Sequence, residues 1–438
     1  MTKPVDTLID ARWVIPVEPR AQTLAEHSIA IADGTILDLL PSVEAHLRYA
    51  PRRHLKLDRH VVIPGLVNLH THAAMTLMRG LADDLPLMDW LKNHIWPAEL
   101  RFVSEQFVHD GTLLGAVEML RGGVTCFNDM YFFPGAVARA ALATRMRVCV
   151  GMIVIEFSSP YATDADDYLQ RGLAVRDEYR SQRLISTALA PHAPYTISDK
   201  TFGKILTYAE QLDVPIHTHV HETVDEIEQS LTQYRVRPIQ RLHDLGLLGP
   251  NLIAVHAVHL NAPELELLAR QGCHVAHCPV SNLKLGSGIA PVAEMLRHGI
   301  NVGIGSDVAA SNKRLDLFLE MRVAALLAKG ISYAADSLPA HQALRMATLD
   351  GARALGMDEV IGSLEPGKAA DITALRVSDL DTAPCYDVAS HLVYVLGREH
   401  VSHVWVNGEL LVEDRALPGV DERELLAKAV YWRDRLRA

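Results

Sequence analysis

The chain has 438 residues, 49% hydrophobic, 22% charged and 6% aromatic, which suffices for a sizeable core and excludes disorder as its main state. Its 42 Lys and Arg against 53 Asp and Glu leave a formal charge of −11; with no Lys/Arg-rich block, this argues against nucleic acid or an anionic membrane surface as a partner. No apolar run approaches the roughly 18 residues of a membrane-spanning helix, and five sparse cysteines without CxxC spacing suit a reduced, cytoplasmic protein.

The opening Met1–Asp6 carries no apolar signal region. The first sixty or so residues then read as short strands. Ser28–Ala32 and Thr35–Leu39 flank Asp33-Gly34, a two-residue hairpin signal. The middle of the chain alternates short apolar strands with helical stretches. The candidate strands are Gly65–His72, Val124–Met130, Val148–Ile155, Ser186–His192, Pro215–His221, Leu252–His256, His274–Cys278 and Val302–Ser306. Helical segments between them include Gln106–Arg121, Thr201–Leu212, Pro263–Arg270 and Pro291–His298. Eight strand–helix units with strands apolar on both faces predict an α/β fold, a (β/α)8 barrel. An open doubly wound sheet would place a Gly-rich nucleotide loop after the first strand, and here that strand ends in His-Thr-His. Near the C-terminus Val404–Val406 and Glu409–Val412 repeat the hairpin device around Asn407-Gly408. The two hairpin-rich ends, 1–62 and 363–415, are expected to meet as a small β-sandwich domain beside a barrel over 63–362. An amphipathic helix over about 421–437 would form the remaining segment, 416–438.

The 22 histidines exceed ordinary structural need, and several come in tight groups. His70-Thr71-His72 closes the first candidate strand. Residues two apart share a face of a strand, so both imidazoles can point into a barrel mouth and grip one metal; two core histidines are the plain alternative. A later strand ends His217-Thr218-His219-Val220-His221-Glu222, the next ends at His256, and the last runs Gly303-Ile304-Gly305-Ser306-Asp307. Active groups of such barrels sit at the C-terminal ends of strands. Histidines and an aspartate at several of these ends suit a catalytic metal site with an open position. By alternation His217, His219 and His221 are equal candidates. His274 and His277 are expected to be structural or rim residues, and His46, His54 and His391 surface groups.

The run Pro64-Gly65-Leu66-Val67-Asn68-Leu69-His70-Thr71-His72 resembles the amidohydrolase superfamily. So do the strand-end His219 and His256, Ser306-Asp307, and Gly362-Ser363-Leu364-Glu365-Pro366-Gly367-Lys368-Ala369-Ala370-Asp371. The stretch Met75–Leu85 is similar to the branch of triazine hydrolases and 5′-methylthioadenosine/S-adenosylhomocysteine deaminases. The resemblance implies that His70, His72, His219 and Asp307 ligate metal and that Glu222 shuttles protons. It further implies that His256 polarises the attacking water or the leaving group. Trp90 and Glu99 match nucleoside contacts, with Glu99 on the ribose hydroxyls; His192 matches a further substrate-side histidine, Ser311 a pocket residue, and Glu222 and Asp307 also face the substrate. The bland readings are a core role for His192, loop packing for Trp90 and a solvated helix position for Glu99. Relatives with two metals bridge them by a carboxylated lysine at the end of the fourth strand. Ser186–Tyr195 contains no lysine, so one metal is implied, zinc first, with iron or manganese as alternatives.

The reaction implied is hydrolytic deamination at C6 of adenine. Glu222 would carry a proton to N1, while Asp307 and His256 accept or orient the proton of the water. Relatives that accept S-adenosylhomocysteine hold its carboxylate with arginine between the third and fourth strands. In this chain Glu156–Asp167 is acidic and has no arginine before Arg171. Arg171, Arg176, Arg180 and Arg183 have the spacing of a solvated helix and its end. Phe157, Pro160 and Tyr161 offer an apolar slot, so 5′-methylthioadenosine is expected over S-adenosylhomocysteine, with some turnover of adenosine. The alternatives are a guanine or s-triazine aminohydrolase or chlorohydrolase, and a non-catalytic barrel protein. The expected partner is a small-molecule nucleoside, with a homo-oligomer left open.

Overall fold

A computed structural model describes residues 2–85 and 87–437 of the protein. In chain order its strands are β1 Lys3–Val14, β2 Leu24–Ala32, β3 Thr35–Pro41, β4 Tyr49–Pro64, β5 Leu66–Thr71, β6 Val124–Tyr131, β7 Arg147–Val154 and β8 Ile185–Pro191. They continue as β9 Ile216–Val220, β10 Leu252–His256, β11 His274–His277, β12 Asn301–Ile304, β13 Ile372–Arg376, β14 Val401–Val406 and β15 Glu409–Val412. The chain divides into two compact units. One takes the residues up to Val67 with Met119–Cys126 and Asp316–Val420; the other takes Asn68–Glu118, Phe127–Leu315 and the residues from Asp421 on.

In the first unit a mixed seven-stranded sheet runs β15-β14-β13-β4-β1-β2-β3, so both ends of the chain build it. Both expected hairpins form. Asp33 and Gly34 (φ 51° and 78°) and Asn407 and Gly408 (φ 49° and 77°) are left-handed pairs, as type I′ turns require. The outermost strands carry these turns, and the turns meet. Ala370 N donates to Gly34 O, and Gly408 N donates to Ala370 O. A Cβ on Gly34 would stand 2.7 Å from the Asn407 carbonyl oxygen, so only glycine fits. The sheet thereby folds over itself as a sandwich around Ile9, Val14, Ile29, Ile36, Val62, Ile372 and Trp405, each side chain contributing about 1.5–3 kcal/mol by burial.

The eight strands β5 to β12 lie in sequence order in one sheet. Adjacent pairs such as β7–β8 and β9–β10 are parallel, the (β/α)8 arrangement with helices between successive strands. Closure from β12 back to β5 rests on a single bridge between Thr71 and Asp307, where Asp307 N donates to His70 O at 2.9 Å. Below it Ser306 N donates to Asn68 Oδ1 at 2.9 Å, and Asn68 Nδ2 donates to Ser306 Oγ at 2.7 Å. Side chains thus hold the seam that the backbone ladder leaves open. Caps fix where helices begin: Ser198 accepts from Thr201 N, Thr223 from Glu226 N, and Asn261 from Glu264 N. The last helix, Glu422–Arg437, buries Leu425 and Trp432. The Trp432 indole donates to Asp110 Oδ2 at 3.0 Å. Among the described residues no helix is long and apolar enough to cross a membrane.

Candidate metal centre and active site

Most of the strands stop slightly earlier than the sequence suggests, and the difference matters. His70 is still in β5, but His72 lies just past its end, as do His192 past β8, His221 past β9 and Asp307 past β12. Freed from the ladder, the backbone turns His72, His192 and Asp307 into the barrel mouth and His221 away from it. His221, His256 and Asp307 take φ of 56°, 71° and 57°, a left-handed conformation costly for non-glycine residues and concentrated at functional sites.

His70, His72 and His219 bring their Nε2 atoms together. His219 Nε2 lies 3.3 Å from both His70 Nε2 and His72 Nε2. Asp307 Oδ1 stands 3.2 Å from His70 Nε2 and 3.5 Å from His72 Nε2. The opposite ring nitrogens are committed elsewhere. His72 Nδ1 donates to Met130 O at 2.5 Å and His219 Nδ1 to His192 O at 2.6 Å, while His70 Nδ1 lies 2.9 Å from His217 Nε2. Burial, with the neighbouring imidazoles, holds His219 well below its ordinary pKa; burial also lowers His70. Rings with Nδ1 bonded outward leave Nε2 lone pairs facing one another, which repel unless a cation lies between them. Ligands of a tetrahedral zinc at about 2.0–2.1 Å stand about 3.3 Å apart, which is the spacing observed. The donor set therefore fits a divalent ion such as zinc. Gly305 permits the close packing behind it, since a Cβ there would stand 2.8 Å from His70 Cβ.

The three alternating histidines separate by position. His217 lies one layer deeper and braces His70. His221 turns away, its Nε2 accepting from Ile239 N at 3.2 Å. Only His219 joins His70 and His72 as a three-residue cluster able to hold a metal. Asp307 is held well below the ordinary carboxylate range: burial opposes its charge, but the close imidazoles of His70, His256 and His72 outweigh it. Its Oδ2 accepts from Ser281 Oγ at 2.5 Å. Glu222 has the opposite environment. Burial, then the negative charges of Asp307 and Glu226, push its carboxyl well above the usual value. Its Oε2 lies 3.7 Å from His256 Nε2. Burial lowers His256 to about 3, and Asn282 Nδ2 sits 3.0 Å from its Nδ1. A donor at Nδ1 leaves Nε2–H directed at the site.

These groups open into a cavity of about 240 Å³. His72, His219, Glu222, His256 and Asp307 form its polar end. The remaining wall is mostly apolar: Met75, Leu87, Trp90, Leu91, Ile95, Trp96, Ile153, Ile155 and Phe157. Trp90 and Glu99 both line it, from one helical run that includes a π-type turn at Leu91–Ile95; such turns recur at functional sites. Glu99 is half-buried and accepts from Tyr131 OH at 2.8 Å; burial raises its pKa to about 7. His192 lines the cavity and also supplies the carbonyl that orients His219. Ser311 does not reach the cavity wall; its hydroxyl lies 3.0 Å from Ser281 Oγ, on the far side of Asp307. The turn of its short helix directs it at Ser281. Phe157 and Pro160 line the cavity, whereas Tyr161 is buried against Phe133 and Tyr168. His274 and His277 stay within β11, off the cavity. Among the described lining residues there is no lysine or arginine. Arg171 bonds Asp167 at 2.7 Å on the surface instead.

Several supporting residues lay outside the sequence reading. Asp129 accepts from Thr71 Oγ1 and Ala73 N at 2.9 and 2.7 Å, fixing the turn that carries His72. Glu226 accepts from the backbone N–H of both His221 and Glu222 at 3.0 and 2.9 Å, setting the loop of Glu222. A readable signal existed for the second: Thr223-Val224-Asp225-Glu226 has capping-box spacing. Asp129, Tyr131 and Ser281 had none beyond proximity to strand ends.

The amidohydrolase family profile matches residues 61–411. A 5-methylthioadenosine/S-adenosylhomocysteine deaminase of Saccharophagus degradans is 45% identical over 99% of this chain and 98% of its own length. A crystal structure of an adenosine deaminase from Xanthomonas campestris with bound zinc superposes with a TM-score of 0.99, at 46% identity and complete coverage of both chains. The zinc complex of atrazine chlorohydrolase from Arthrobacter aurescens superposes at 0.91, with 25% identity over 97% of this chain and 99% of the other. With its barrel, its strand-end histidines and nearly its full length thus matched, the chain belongs to the amidohydrolase family.

Proposed function

We propose that this protein is a zinc-dependent aminohydrolase that deaminates a 5′-modified adenosine, with 5′-methylthioadenosine as preferred substrate. The observation that carries the reading is the polar end of the cavity. Three bare imidazole nitrogens and a carboxylate at ligand spacing face Glu222 and His256, and the rest of the wall is mostly apolar, with Trp90 and Glu99 in it. His70, His72, His219 and Asp307 would hold the ion. Bound there, a divalent cation supplies Lewis acidity, which makes water nucleophilic near neutral pH. Glu222, biased towards its protonated form, donates to N1 of the purine as the water oxygen adds at C6. His256 orients that oxygen through Nε2–H. Glu222 then takes one proton of the added water and passes it to the amino group, so C6–N breaks and ammonia leaves; the second water proton restores the Glu222 acid as C6=O forms, and a hypoxanthine base remains. Trp90 packs against the nucleoside, Glu99 accepts the ribose hydroxyls, and His192 closes the substrate side; Ser311 acts only through Ser281 and Asp307.

The 5′ substituent would lie towards Phe157 and Pro160. Among the described residues lining that region no lysine or arginine meets the carboxylate of S-adenosylhomocysteine, and an unpaired buried carboxylate is costly, whereas a methylthio group needs only apolar contact. The test is the loss of adenine absorbance, with ammonia release, on zinc-loaded protein. The expected order of kcat/KM is 5′-methylthioadenosine, then adenosine and S-adenosylhomocysteine. A ratio favouring S-adenosylhomocysteine overturns the preference. Turnover confined to guanine or s-triazines overturns the substrate class, and no turnover with stoichiometric zinc overturns the enzymatic reading.

A further inference from the structure

We propose a second divalent-metal site in the seven-stranded unit, formed by Asp10, His46 and His54 and suited to a transition-metal ion such as zinc. Three elements converge on it: β1 supplies Asp10, the helix Ser42–Arg48 supplies His46, and β4 supplies His54. His46 Nε2 and His54 Nε2 both address one atom, Asp10 Oδ2, at 2.8 and 2.6 Å. The rings are nearly perpendicular, with centroids 5.4 Å apart. Asp10 is fixed from behind. Its β2 neighbour across the ladder, Ser28, donates to Asp10 Oδ1 at 2.6 Å, and the Ser42 hydroxyl stands 2.8 Å from that of Ser28.

The chemistry favours a metal for three reasons. The Asp10 side chain is 12% exposed, and among the described residues no lysine or arginine pairs with it. Two imidazole nitrogens and one carboxylate oxygen form a borderline donor set, which suits zinc, cobalt, nickel or copper rather than magnesium or calcium. The histidine side chains, 46% and 32% exposed, leave an outward position for water. Tetrahedral ligands at about 2.0–2.1 Å lie about 3.3 Å apart, so each ring must withdraw by about half an ångström. The exposed rings are free to do so, while Ser28 holds the carboxylate still. In the metal-free state each Nε2–H donates to Asp10. Binding shifts each of those protons to Nδ1, so that the Nε2 lone pair faces the cation. The site shares no residue with the barrel cluster and does not depend on what the enzyme deaminates.

The test is calorimetric titration of the full chain already carrying one equivalent of zinc, with zinc and then cobalt as probes. A second equivalent should bind, and cobalt should give visible bands of a nitrogen- and oxygen-ligated ion. In His46→Gln and in His54→Gln the second association constant should fall at least tenfold. In the double variant the second equivalent should vanish, while the first equivalent and deamination persist. Both are surface substitutions, so retained activity also reports a folded chain. A wild type that stops at one equivalent, or a double variant that still binds two, overturns the proposal.

Discussion

Histidines gather around a carboxylate twice in this chain, at Asp307 in the barrel and at Asp10 in the sandwich, and the two clusters are built differently. In the barrel, His72 and His219 spend Nδ1 on main-chain carbonyls, so their Nε2 atoms arrive bare and at ligand spacing. In the sandwich, Nε2 is the atom that meets the carboxylate, at hydrogen-bond distance. The first cluster is arranged for a cation before one arrives; the second satisfies itself and must open. Preorganisation therefore separates them, rather than residue type, and it comes from main-chain carbonyls at or just past the ends of neighbouring strands. The barrel site should bind metal more tightly, because the sandwich site must spend binding energy on displacing two hydrogen bonds.

The largest effect should come from the barrel. Asp307→Ala or His219→Ala is expected to abolish turnover and to lose the metal equivalent that wild-type protein should retain through dialysis. Elemental analysis and the adenine absorbance assay check both. Full activity in metal-free Asp307→Ala protein would erase the contrast between the clusters. Next is Glu222→Gln, which keeps size and removes the proton-carrying capacity. Turnover should fall by roughly 10²–10⁴ with metal content unchanged. Loss of metal in that variant would make Glu222 a ligand instead.

The sequence carried the barrel far because its signals are local. Strand-end histidines, two Xaa-Gly turns and an even alternation of strands and helices survive without knowledge of contacts. The metal cluster was legible for the same reason, since period-two spacing in His70-Thr71-His72 fixes a shared face. The choice among His217, His219 and His221 was not legible from spacing. Depth along β9 and the left-handed turn at His221 decide it. Ser311 and Tyr161 were misplaced against the cavity because short helices and irregular loops set their directions. Asp10 with His46 and His54 was invisible, because the parallel register of β1 and β4 and the helix Ser42–Arg48 bring them together across more than thirty residues. His46 and His54 were read as surface groups, which they are, but not as partners.

Glu226 tests the preorganisation argument at smaller scale. Its carboxylate receives two backbone N–H groups from the loop of Glu222, and Gln can accept only one of them well. Losing a hydrogen bond to a charged group costs about 1.5–3 kcal/mol, so Glu226→Gln should lower kcat roughly tenfold to a hundredfold. Metal content and KM should change little. A normal kcat would mean that Glu222 positions itself.

The smallest effect concerns pH and Glu99. Burial raises this carboxyl to about 7, although Tyr131 donates to it and works the other way. Above that value Glu99 is ionised and accepts hydroxyl donors with charge-assisted bonds, about twice as strong as neutral ones. Below it the acid form donates one proton and accepts less well. KM for 5′-methylthioadenosine should therefore rise several-fold as pH falls from about 8 to about 6, with kcat following a different profile set by Glu222. In Glu99→Gln the KM should be high throughout and flat across that range. A KM that keeps the wild-type pH dependence in Glu99→Gln would move the titration to another group. A 2′-deoxy substrate sharpens the assignment: it has one hydroxyl fewer to offer, so its KM should respond less to pH if Glu99 is the group that reads the ribose.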